Sequence, residues 1–65
     1  MERVNVKMIR DFLNERGQSN RWFARMTGVT EVTVSNWFTD GKIPMKYAQR
    51  ISVAMQIPMK YVVTK

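Results

Sequence analysis

The sequence predicts an all-α fold, a compact bundle of about five short helices that fills residues 1–65 as a single domain. Three observations support this. Apolar residues recur at helical spacing in successive segments, capping residues bracket those segments, and no strand alternation is sustained along them. A chain this short hides only about 60% of the surface its unfolded form would expose, so its core has to be tightly shared among the helices.

In the first segment Val6, Met8, Ile9, Phe12 and Leu13 fall in one arc at about 100° per residue, with Lys7, Arg10, Asp11 and Asn14 in the other. Asn5 suits the N-cap and Gly17 the left-handed residue that closes the helix, which predicts a helix over residues 5–16. Ser19 is the N-cap of a second helix over 20–26. After Gly28 and Val29, Thr30 caps a third over 31–38, stopped by the turn signal Asp40-Gly41. Pro44 belongs in the first turn of a fourth helix reaching Met55, whose inner face carries Tyr47, Ala48, Ile51, Ala54 and Met55. Pro58 opens either a fifth short helix or an extended tail, since Tyr61-Val62-Val63 has β character. The pentapeptide Ile43-Pro44-Met45-Lys46-Tyr47 recurs as Ile57-Pro58-Met59-Lys60-Tyr61, and both copies read as a helix start where Ile packs inward and Pro sets the first turn.

Composition narrows the function. With no Cys and no His, disulfide frameworks and ordinary zinc fingers are excluded, and the lack of Cys suits a reducing cytosol. Eleven Lys and Arg against five Asp and Glu give a net charge of +6. That balance suits a nucleic-acid partner, and equally a surface that only maintains solubility. No apolar run approaches the roughly 18 residues of a membrane span, and the first five residues lack the design of a secretory signal. The expectation is a cytoplasmic protein, complete as given, with no membrane partner. No catalytic constellation is present: there is no nucleophile-base pair, phosphate-binding glycine loop or close carboxylate pair. The chain therefore reads as a non-enzyme without metal or cofactor, and its six methionines as gap-filling core residues.

The informative stretch is NRWFARMTGVTEVTVSNWFT, residues 20–39. Two helices that cross steeply need a small residue at their closest approach, which Ala24 supplies, and a link tolerant of positive φ, which Gly28 supplies. Val29 plugs the turn, while Val34 and Trp37 anchor the inner face of the third helix. Glu31, Val32, Ser35 and Asn36 then occupy an outer arc of about 140°. Asn suits a bidentate contact with adenine, Glu can accept from cytosine N4, Val can meet a thymine methyl, and Ser can bond a base or phosphate. These four are the candidate base readers of a helix-turn-helix. Trp37 and Phe38 read as core. Trp22 is either a lid on the first helix or an exposed anchor, the lid being preferred because an exposed tryptophan leaves an uncompensated apolar patch.

This stretch resembles the helix-turn-helix of lambdoid-phage Cro and repressor proteins, within the wider Xre-type superfamily. The segments Val34-Ser35-Asn36-Trp37, Gly41-Lys42-Ile43-Pro44 and Ala48-Gln49-Arg50-Ile51 are especially similar to the Cro-like branch, and the likeness covers about residues 8–63. The resemblance implies a five-helix, lambda-repressor-like domain that represses transcription at (pseudo)palindromic double-stranded operators, commonly as a homodimer. It favours a helix after Pro58. Position by position, Asn20 matches a residue touching the DNA backbone, Glu31 and Val32 the first base readers, Asn36 a third, and Lys42 a phosphate contact. Arg21, at the amide-rich start of the second helix, joins Lys42 as a phosphate candidate. Arg10, Arg25, Lys46 and Arg50 are weaker ones, and Thr30 and Thr33 are backbone contacts at most. Relatives often carry glutamines where this chain has Glu31 and Val32, so no operator sequence transfers, and Glu31 faces phosphate repulsion unless it meets a cytosine. Val53, Val62 and Val63 are candidate dimer contacts. The competing readings are an antitoxin-like or host Xre regulator of the same fold, and a helical protein-interaction module with a basic surface.

Overall fold

Three helices begin at the side chains that the sequence marks. In a computed structural model describing residues 2–65, Asn5 Oδ1 accepts from the Met8 N–H at 3.2 Å, Ser19 Oγ from the Trp22 N–H at 3.1 Å, and Thr30 Oγ1 from the Thr33 N–H at 3.2 Å. Each such cap satisfies an amide that the helix cannot, an effect of about 1 kcal/mol. The chain runs β1 (Arg3–Val4), α1 (Val6–Arg16), α2 (Asn20–Thr27), α3 (Glu31–Asp40), a 3-10 turn (Met45–Tyr47), α4 (Ala48–Met55), α5 (Met59–Val62) and β2 (Val63–Thr64).

The helices enclose one core. Ile9 and Leu13 enter it from α1, Phe23 and Ala24 from α2, Val34 and Trp37 from α3, and Ala48, Ile51 and Met55 from α4. Phe23 sits at its centre, stacked on Phe38 at 5.9 Å between ring centroids and meeting the edge of Trp37 at 6.3 Å. Trp22 is half-buried against this core, so it is not a free anchor.

Several boundaries differ from the expectations, each for a local reason. Helix α3 continues to Asp40, because it is Gly41 that takes the left-handed conformation and returns its N–H to the Trp37 carbonyl. Pro44 does not begin α4. Its ψ of 138° keeps it extended, and the chain then makes one 3-10 turn before α4 starts at Ala48. The Tyr47 ring, 4.9 Å from that of Trp37, marks this junction. Without a glycine available, α4 closes on Gln56 in the left-handed region at φ 55°.

The carboxy-terminal segment takes both forms left open by its composition. Helix α5 lasts a single turn and passes directly into β2, which pairs antiparallel with β1 in the register Arg3 to Thr64 and Val4 to Val63. A further bond from the Asn5 N–H to the Val62 carbonyl, at 2.7 Å, continues the clasp. The fold is thus all-α but for this two-stranded ribbon joining its ends.

Two expectations are corrected. Val62 is fully buried in the core and has no side-chain surface to offer a dimer, because the clasp turns it inward; Val63 is partly buried against the same core. The methionines do not form a common core set. Only Met55 is buried among the described residues, Met8 is partly so, and Met26, Met45 and Met59 are exposed, since they lie on the outer sides of short helices. Met1 lies outside the described residues.

The repeated pentapeptide builds the same turn twice. Pro44 and Pro58 share nearly identical backbone angles, and each carbonyl accepts the N–H of the tyrosine three residues on, at 3.0 and 2.9 Å. In each copy the lysine ammonium lies over the adjacent tyrosine ring, at 5.3 and 5.2 Å.

Candidate nucleic-acid interface

The site rests on how α2 turns into α3. Gly28 ends α2 at φ 77°, a conformation costly for any residue with a Cβ, and its N–H bonds the Ala24 carbonyl. The Val29 N–H bonds the same carbonyl at 3.0 Å, so the chain reverses in three residues and Thr30 starts α3. Buried Thr27 satisfies its own hydroxyl by donating to the Phe23 carbonyl at 2.8 Å. From α4, Arg50 Nη1 donates to the Thr27 carbonyl at 3.2 Å, holding the turn from behind.

With Val34 and Trp37 buried, α3 has only one way to face. Glu31, Val32, Ser35 and Asn36 are all exposed on its outer side, Val32 to 69%. Thr33 is partly buried, and its hydroxyl lies 2.9 Å from that of Thr30. Thr30 therefore caps α3, and the Thr33 hydroxyl bonds the capping hydroxyl. Asn20 and Arg21 are exposed in the first turn of α2, and Lys42 is exposed just beyond the far end of α3, its N–H bonded to the Trp37 carbonyl at 3.1 Å. The outer face of α3 thus lies between a cation near its start and another at its end.

Arg21 also answers the acidic residue in this face. Its Nε lies 3.7 Å from Glu31 Oε1, with both side chains well exposed. The pair contributes little to folding, because solvent screens it. Its effect is to offset the negative charge of Glu31 at the start of α3 without burying either group.

Of the weaker phosphate candidates, Arg25, Lys46 and Arg50 line one groove. Arg50 is committed to Thr27, Arg10 lies 5.8 Å from the centre of the Phe38 ring, and Lys46 covers Tyr47. Arg25 lines this groove with Met26, Gln49 and Val53. Val53, exposed to 72%, keeps an open apolar surface on α4. Sequence reasoning missed the Arg50 clamp and the Arg21–Glu31 pair, as both join residues whose proximity depends on the packing. It also passed over Arg3 and Lys7, which line a groove with Lys42.

A helix pair joined by a glycine turn, with a short polar outer face on its second helix, defines a helix-turn-helix DNA-binding domain. The family model of the bacteriophage CI repressor helix-turn-helix domain matches residues 15–65, and the chain belongs to that family. No curated protein and no solved structure matches it. The domain is of the DNA-binding repressor type, with double-stranded DNA as its partner. Among the described residues no helix is long and apolar enough to cross a membrane.

Proposed function

We propose that this protein is a sequence-specific, Cro-like transcriptional repressor that lays α3 in the major groove of an operator and represses by occupying it. The observation that carries this reading is the outer face of α3. Four exposed side chains, Glu31, Val32, Ser35 and Asn36, stand opposite the buried Val34 and Trp37. A protein-binding helix would present larger apolar anchors there. The ten residues of α3 span about 15 Å, against a major groove about 12 Å wide. Seated in the groove, the helix brings Asn20 and Arg21 towards one phosphate wall and Lys42 towards the other.

In this reading Asn36 pairs with an adenine, Glu31 accepts from a cytosine and Val32 meets a thymine methyl. Thr30 and Thr33 contribute at the backbone. A homodimer on a (pseudo)palindromic operator is the assembly proposed, with Val53 as a contact and half-sites about 34–36 Å apart. The test is selection of duplexes from a random pool at near-physiological salt. Enrichment of an inverted repeat with that spacing is expected. Failure to enrich any sequence, even at low salt, would overturn the proposal and leave the positive charge without a specific partner.

A further inference from the structure

We propose that Arg3 and Lys7 join Lys42 in a second phosphate-binding surface, which extends the DNA footprint beyond the end of the recognition helix. The proposal rests on the DNA-binding reading above and adds two residues from the opposite end of the chain. Arg3, in β1, and Lys7, in the first turn of α1, line a groove of about 790 Å³ together with Lys42. Trp37, Ile43 and Pro44 form its apolar side, and no Asp or Glu lines it. Three cations from three separate segments therefore share one concave surface without a counter-charge of the chain's own.

The clasp is what puts them there. Arg3 is held in register with Thr64, and the Asn5 N–H is bonded to the Val62 carbonyl. Asn5 in turn caps α1, which fixes the turn bearing Lys7. The groove is continuous with the proposed interface, since Gly41 and Lys42 line it and directly follow α3. A polyanion whose negative charges repeat along its length can meet Lys42 with one phosphate and Lys7 and Arg3 with the next ones. The phosphodiester backbone of the duplex has that property. Phosphate contacts of this kind add affinity and fix register without reading bases.

The experiment is a salt titration of duplex binding by the full chain, using a duplex from the selection and an unrelated one. Removing one cation that neutralises a phosphate reduces the slope of log K against log salt by about 0.9, equivalent to about fivefold in affinity at physiological salt. The double variant Arg3→Gln, Lys7→Gln is expected to bind both duplexes about 30-fold more weakly, with a slope shallower by about 1.8. Lys7→Gln alone should show half of that slope change, so loss of the β1–β2 clasp in the double variant does not decide the result. Phosphate ethylation that interferes with the wild type beyond the Lys42 contact should cease to interfere with the double variant. If Lys42→Gln lowers the slope but Lys7→Gln leaves slope and ethylation pattern unchanged, this proposal is overturned and the DNA-binding reading stands. If the wild type binds neither duplex at any salt concentration, both fall together.

Discussion

Arg50 Nη1 donates a hydrogen bond to the carbonyl oxygen of Thr27 across 3.2 Å, from α4 to the last turn of α2. The bond lies directly behind Gly28, where a Cβ would approach Arg50 Nη1 to 3.2 Å. A helix C-terminus carries partial negative charge and unpaired carbonyls, so a guanidinium is a fitting partner for it. The clamp fixes the turn from which α3 departs, and hence the direction in which the outer face of α3 points.

Replacing Gly28 with Ala tests that turn. The substitution forces an L-residue to φ 77° and crowds the Arg50 guanidinium, so a loss of about 1–2 kcal/mol is expected. For a domain of this size that lowers Tm by roughly 4–8 °C per kcal/mol, measured by circular dichroism. An unchanged Tm would show that the turn relaxes freely.

Asn36→Ala should separate recognition from folding. The side chain is exposed, so Tm should move little, within about 0.5 kcal/mol. Competition binding against operators altered at single base pairs should show discrimination reduced by about 1–3 kcal/mol at one position only. A uniform loss across all sequences would place Asn36 on the backbone instead.

Glu31→Gln removes the acidic charge beside Arg21. Non-specific DNA binding should strengthen, because one repulsion from the phosphates is gone and Arg21 is released towards them. Discrimination at one cytosine-bearing position should weaken at the same time. A double-mutant cycle between Arg21 and Glu31 on the free protein should return no more than about 1 kcal/mol, as befits an exposed pair. A strong coupling there would make the pair structural.

Val53 and Val62 should behave oppositely. Val62→Ala empties part of the core, with an expected cost of about 1–3 kcal/mol in thermal unfolding. Val53→Glu, on an exposed position, should leave unfolding nearly unchanged but weaken co-assembly of two copies on a two-half-site duplex, followed by sedimentation. If Val53→Glu leaves that assembly intact, the dimer contact lies elsewhere.

The sequence alone determined the parts of this protein that depend on local chemistry. Asn5, Ser19 and Thr30 could be recognised as caps, and Gly17 and Gly28 as helix closures, because a cap bond or a left-handed residue is settled within a few positions. Helical spacing likewise separated Val34 and Trp37 from Glu31, Val32, Ser35 and Asn36, as one buried face leaves only the other for a partner. Charge and the recurrent residues of the helix-turn-helix supplied the class of partner.

Tertiary structure alone decided whatever joins distant positions. Val62 reads as a surface valine until β2 pairs with a strand about sixty residues earlier, and the same pairing brings Arg3 and Lys7 into one groove with Lys42. The Arg50 clamp, the Arg21–Glu31 pair and the Tyr47–Trp37 contact at the 3-10 turn have the same origin. Periodicity reports which side of a helix is buried, but not which residue of another element lies against it. That choice is made when all the helices pack at once around Phe23 and its neighbours, through contacts too far apart in sequence to leave a local pattern.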